Sequence, residues 1–161
     1  MGAASQTLTV AEFYRRQDAD PDPHNRYELI DGELFVTRTA GPPHQRLLGR
    51  VSYRVGEIVG QHERASQFHG PIDVRDGDRS VVQPDLLVLL GERTSFETAQ
   101  DVAGPPNLVV EVLSQWTEEI DRGEKPLFYA RLGSMSCGWW TGSGGRCRSV
   151  PVQWMGSIGR W

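Results

Sequence analysis

The chain is almost without lysine. Sixteen of its seventeen basic residues are arginine, and the single lysine is Lys125. A GC-rich genome explains an arginine bias but not the survival of one lysine at one place. Cysteine is scarce as well: Cys137 and Cys147 are the only two, too few for a Cys-rich metal module and not a disulfide framework. No stretch approaches the roughly 20 apolar residues of a membrane helix, and the N-terminus has no apolar run of the signal-peptide kind. A cytoplasmic protein with no membrane partner is the expectation. Positive charge is not in excess either. The net charge is −4, whereas a protein that only coats nucleic acid is usually basic. Any DNA contact must therefore be local or mediated by metal ions, and an acidic balance suits a site built from carboxylates.

The 161 residues fit one domain. Residues 8–17 read as a short amphipathic helix, with Thr7 or Thr9 as its cap and Glu12 at capping-box spacing from Thr9. Residues 27–36 alternate around Asp31-Gly32, the signature of a hairpin with a type I′ turn. After Gly41-Pro42-Pro43, residues 44–62 carry Leu47, Leu48, Val51, Val55, Ile58 and Val59 at helical spacing, an apolar stripe that should pack on a sheet. Residues 70–75 suggest a strand, followed by an Asp76-Gly77 turn. Residues 85–90 and 107–113 are near-continuous apolar runs, as expected of strands buried on both faces. A charged loop, 91–106, separates them, and a helix is expected from about Glu118 to Leu132.

Glu111 is the anomaly. It interrupts Leu108-Val109-Val110-Glu111-Val112-Leu113, and an unpartnered buried carboxylate costs several kcal/mol, so it needs a metal, hydrogen bonds or a proton. Asp85 opens the preceding apolar run directly after Pro84. Two acids on neighbouring core strands can bind a hard cation through oxygen. The competing readings are a salt bridge from Glu111 to a buried arginine and ordinary Pro-Asp turn chemistry for Asp85.

Four motifs occur in a definite order: Tyr27-Glu28-Leu29-Ile30-Asp31-Gly32-Glu33-Leu34, Pro84-Asp85, Val110-Glu111-Val112-Leu113-Ser114, and the spaced Asp121, Lys125 and Tyr129. Together they resemble the Uma-two family of restriction endonucleases, within the PD-(D/E)xK nuclease superfamily, from about Thr7 to Gly133. The resemblance implies an α/β fold, a restriction-endonuclease-like mixed β-sheet flanked by helices. It implies a Mg²⁺-dependent endonuclease, with Mn²⁺ as an alternative ion, acting on DNA, with Asp85 and Glu111 as metal ligands. The superfamily places its lysine two residues after the glutamate, where this chain has Leu113. The lysine is then expected on the next helix, and Lys125 is the one candidate, there to orient or deprotonate the attacking water and add positive charge. A solvated helix position is the bland alternative. Glu28 either completes the acidic cluster or is an exposed hairpin residue. His44 resembles the family's helix-start histidine and either touches a phosphate or is structural; an essential base is not expected. Oligomeric state, a homodimer included, is not readable.

The composition changes after Gly133. Residues 134–161 contain no Asp or Glu, both cysteines and four of the five tryptophans. Read from the third base of each codon, Met135 to Thr141 can spell Glu-Leu-Trp-Val-Val-Asp, which resembles the family's next strand. A frameshift near Ser134 is therefore expected, against the alternative of a lineage-specific tail. The domain is expected to span 1–133, with 134–161 an aberrant tail; if the frameshift is real in the cell, the sheet lacks its last strands. A catalytically inactive nuclease-fold remnant or binding module is the alternative function, and a structural carboxylate pair is a third.

Overall fold

Helix α1 (Val10–Ala19) begins two residues after the expected start at residue 8, because Thr9, one of the two expected caps, is its N-cap. The Thr9 hydroxyl accepts the Glu12 N–H at 3.3 Å, and the Glu12 carboxylate accepts the Thr9 N–H at 2.8 Å, completing the capping box. The structure is a computed structural model, which describes residues 7–114, 117–140 and 147–150, with 136–140 and 147–150 described as backbone. Strands β1 (Asn25–Ile30) and β2 (Glu33–Arg38) pair antiparallel from Asn25↔Arg38 to Ile30↔Glu33. Asp31 and Gly32 join them with φ of 55° and 84°, the two positive values a type I′ turn requires.

Helix α2 (Pro42–Val59) begins two residues before the expected start at His44. Proline fits the first helical turn, where its missing N–H is not needed, so Pro42-Pro43 open the helix instead of preceding it. The strand expected over 70–75 is displaced. The chain forms β3 (Ala65–His69), β4 (Val74–Asp76) and β5 (Ser80–Val82), with an Asp76-Gly77 turn between the last two. The two apolar runs are β6 (Leu86–Leu90) and β7 (Leu108–Val112), and the loop between them includes a 3-10 turn over Gly91–Phe96.

The helix expected over 118–132 is broken into α3 (Glu118–Arg122) and α4 (Glu124–Leu132). A continuous helix would need a Pro126 N–H to bond the Arg122 carbonyl, and proline has none. Gly123 takes the break, with φ −98° and ψ −87°. Gly133 ends α4 in the left-handed region at φ 89°, the usual glycine C-cap.

Two sheets result, ordered β2-β1-β5-β4 and β3-β6-β7-β8-β9. The second continues past residue 133. Strand β8 (Ser136–Trp140) runs parallel to β7, and β9 (Cys147–Val150) pairs antiparallel with β8. Sheet pairing uses main-chain groups that every non-proline residue carries, so the altered composition does not by itself empty this edge. The remainder of the tail, 141–146 and 151–161, lies outside the described residues.

The five-stranded sheet is covered on both faces. Leu48 and Val51 of α2 pack with Leu86, Val88, Val110 and Val112 on one side. Leu87, Leu89 and Val109 meet Phe128 and Tyr129 of α4, and Ile30, Val74 and Val82 of the first sheet, on the other. Burial on both faces is why β6 and β7 are continuous apolar runs. On the first sheet, Phe13 and Val10 of α1 pack on Tyr27, Leu29 and Val81.

Candidate active site

Register brings the two acids together. β6 and β7 pair antiparallel with Leu86 opposite Val110, so one step further places Asp85 opposite Glu111. The Asp85 N–H points at Glu111 Oε2, 3.4 Å away. Asp85 is held by its neighbours: its carbonyl accepts the Gly70 N–H at 2.9 Å, and a side chain on Gly70 would come within 3.0 Å of the Pro84 carbonyl oxygen. Both carboxylates are buried, at 5% and 1% exposure.

The helix after β7 delivers the lysine. Positions 121, 125 and 129 are four apart, so they share one helical face across the α3–α4 break. Lys125 is 1% exposed and its ammonium lies 2.9 Å from Glu28 Oε1, 3.1 Å from Glu111 Oε1 and 3.1 Å from Asp121 Oδ1. The ammonium thus stands within ion-pair distance of three carboxylate oxygens. The Tyr129 hydroxyl donates to Glu111 Oε1 at 2.9 Å. Glu28 is 2% exposed, which overturns the exposed-hairpin alternative, and it also accepts the Gln83 N–H at 2.7 Å. Burial of Lys125 likewise overturns the solvated-helix alternative, and the Glu111 partner is this lysine in place of the arginine weighed from sequence.

On the opposite side of Asp85 stand two more groups. His44 Nε2 lies 3.1 Å from Asp85 Oδ2, which also accepts the Val112 N–H at 2.7 Å. Arg26 Nη1 lies 3.3 Å from Asp85 Oδ1. Arg26 was not singled out from the sequence. The signal was there: residues 26, 28 and 30 share one face of a strand, so an inward Glu28 implies an inward Arg26. An open cleft of about 370 Å³ reaches Asp85, with Arg26, His44, Gln83, Gln45 and Pro71 among its lining residues.

The charges do not balance. Glu28, Asp85, Glu111 and Asp121 carry four potential negative charges against the cations Lys125 and Arg26. Burial pushes the Glu111 carboxyl up to about 8, helped by Asp121, Asp85 and Glu28 and opposed by Lys125. Burial also raises Asp121, against the pull of Lys125. Burial alone would lower Lys125, but Glu111, Glu28 and Asp121 outweigh it and raise its pKa, so the ammonium stays charged. Asp85 is lowered: burial opposes ionisation, but the His44 contact, Arg26 and the Val112 N–H prevail. The physical picture is a fixed ammonium and an ionised Asp85, with a proton retained on the Glu111 side.

The donor set can be tested against a divalent ion. Among the described residues no three His, Cys, Asp or Glu side chains converge as a ready-made ligand set. Mg²⁺ uses one or two carboxylates and completes its shell with water and substrate phosphate. The least engaged oxygens are Glu111 Oε2 and Asp85 Oδ1, whose contacts are the long ones at 3.4 Å and 3.3 Å. The surplus negative charge is of the sign such an ion would neutralise, so the residues fit.

A mixed sheet between helices, with paired acids on two central strands and a lysine from the next helix, defines the restriction-endonuclease-like class of α/β fold. The chain belongs to the Uma2 family, described as "Putative restriction endonuclease", whose family model matches residues 10–141. The match runs past residue 133 and includes β8. The fold is similar to a crystal structure from Anabaena variabilis, described as a "putative nuclease belonging to DUF820". The TM-score is 0.72 at 18% sequence identity, covering 92% of this chain and 82% of the other. The uncharacterized protein sll1609 of Synechocystis sp. is 26% identical over 136 residues, covering 81% of this chain and 72% of that protein. Among the described residues no helix is long and apolar enough to cross a membrane.

Proposed function

We propose that this chain is a Mg²⁺-dependent endonuclease that hydrolyses phosphodiester bonds in DNA, with Mn²⁺ able to replace Mg²⁺. The observation that carries the reading is the buried Asp85–Glu111 pair, which sits in a cluster of four acids and meets a solvent cleft at Asp85. Asp85 and Glu111 would hold the ion. When bound, it supplies charge stabilisation at the phosphoryl oxygens and a lowered pKa for water.

The protein's own groups divide the remaining work. Lys125 is buried with its ammonium against three carboxylates, so it acts on the reaction through Glu111. It orients that carboxyl, opposes the proton that burial favours on it, and adds positive charge beside it. Tyr129 fixes the same Glu111 oxygen. Glu28 and Asp121 anchor Lys125. This differs from the water-orienting role expected of the lysine, because the ammonium is buried among three carboxylates.

The test is cleavage of supercoiled plasmid in Mg²⁺ or Mn²⁺ by the wild type, Glu111→Gln and Lys125→Ala. Cleavage that needs the metal and both side chains supports the reading; metal-independent cleavage, or cleavage untouched by either substitution, overturns it. One observation favours a second reading, an inactive nuclease-fold remnant. The tail from residue 134 has neither Asp nor Glu, and the shifted-frame sequence Glu-Leu-Trp-Val-Val-Asp falls where β8 sits. Under that reading the chain as it stands binds Mn²⁺ without cutting, and restoring the frame restores cleavage.

A further inference from the structure

Two polar groups at the inner end of the cleft are not accounted for by the carboxylate–lysine cluster. His44 is 9% exposed at its side chain, its Nε2 faces Asp85, and its Nδ1 is buried with no partner among the described residues. Arg26 Nε is buried and likewise without a partner there. Leaving a buried polar group unsatisfied is costly, and each such group calls for an explanation. These two contact the same carboxylate, Asp85, and both line the same cleft. Their positions are set by separate elements, β1 and the first turn of α2, so one local distortion does not explain both.

The α2 end of the cleft carries positive character. The cleft's inner wall is the N-terminus of α2, an 18-residue helix whose positive dipole end points there. Helix N-termini usually hold anions through free backbone N–H groups. Here Pro42 and Pro43 remove two of those donors, so side chains must supply the contacts. The acids at the outer part of the cleft are already engaged: Asp22 with Arg38 at 2.6 Å and Asp20 with the Asn25 amide at 2.7 Å. Lys125 is 1% exposed and is not among the residues that line the cleft.

We infer that Arg26 and His44 form a phosphate-binding subsite beside Asp85, which seats a phosphodiester group of the substrate against the carboxylate pair. Arg26 supplies the charge. His44 Nδ1 supplies the second polar contact, to a phosphate oxygen or to a water held on it. The inference deepens the nuclease reading and rests on it for the identity of the anion as a nucleic-acid phosphodiester. The anion site itself is separable from cleavage.

The test is calorimetric titration of the metal-free full chain with inorganic phosphate, comparing wild type, Arg26→Gln, Arg26→Lys and His44→Gln, each checked for folding by circular dichroism. Phosphate binds the wild type, and Arg26→Gln and His44→Gln weaken it about tenfold each, the scale of one charge-assisted hydrogen bond. Arg26→Lys keeps the charge without the planar fork and falls between, which decides the matter should Arg26→Gln fail to fold. No phosphate binding by the wild type, or equal binding by the folded variants, overturns the subsite. Plasmid cleavage by the same proteins reports separately on the nuclease reading: a wild type that binds phosphate but never cuts DNA keeps the subsite and loses the nuclease.

Discussion

Replacing Lys125 with methionine removes the ammonium and keeps most of the volume. In the wild type that ammonium sits between Glu28, Glu111 and Asp121, each no more than 2% exposed. Removing one partner from a buried ion cluster costs about 3–5 kcal/mol, because the charges left behind have neither water nor a counter-ion. For a chain of this size each kcal/mol corresponds to roughly 2–4 °C in Tm, so Lys125→Met should melt on the order of 6–20 °C lower near pH 8. The penalty should shrink in acid. Without Lys125 the carboxyls lose the contact that favours ionisation, so they bind protons more readily in the folded state than in the unfolded one. Thermal melts at pH 8 and pH 5 read both effects. A Tm loss under about 3 °C at pH 8, or a loss that grows at pH 5, would refute the reasoning, since neither is compatible with a lysine serving as a buried counter-charge.

Other outcomes follow from the same geometry. The folded-state pKa of Glu111, about 8, exceeds its ordinary value of 4.5. The folded chain therefore binds more protons than the unfolded chain between those values, and this group's contribution to stability falls as pH rises through that window. Bound Mg²⁺ should displace that proton, so the rise in Tm on adding Mg²⁺ should be larger at pH 8.5 than at pH 6. Thr9→Ala removes the α1 cap and should cost about 1 kcal/mol, visible as a small drop in Tm with Mn²⁺ affinity unchanged. Tyr129→Phe leaves a buried carboxylate oxygen one donor short and should destabilise by about 1–3 kcal/mol in a denaturant melt. Sequencing the genomic locus across codons 134–141 tests the proposed frameshift: an extra or missing base shows an assembly error, while a clean read leaves the shift in the gene itself.

Most of the site was legible because burying a charge is expensive. Glu111 stood out as a carboxylate in an apolar run, Asp85 as the opening of another, and Lys125 by its isolation in an arginine-rich chain. The structure brings these three together with Glu28 and His44. What was not legible rests on partners distant in sequence. Arg26 looked like any arginine until Glu28 was known to face inward. Strand β3 is polar and pairs as an edge, and β5 has three residues, too few for a period to register. The break at Gly123 was hidden by the face shared by Asp121, Lys125 and Tyr129, which outlasts the break. The position of Pro126 was the cue, since its missing N–H falls in the middle of the expected helix.

The central claim is that Asp85 and Glu111 form a divalent-metal centre. The most direct measurement is a titration of Mn²⁺ into wild type, Asp85→Asn and Glu111→Gln, following the free Mn²⁺ signal by electron paramagnetic resonance. The account predicts saturable uptake of one or two Mn²⁺ per wild-type chain, competed by Mg²⁺, and loss of that uptake in both variants. Wild-type protein that leaves the Mn²⁺ signal free, or variants that take up the ion as the wild type does, would contradict it.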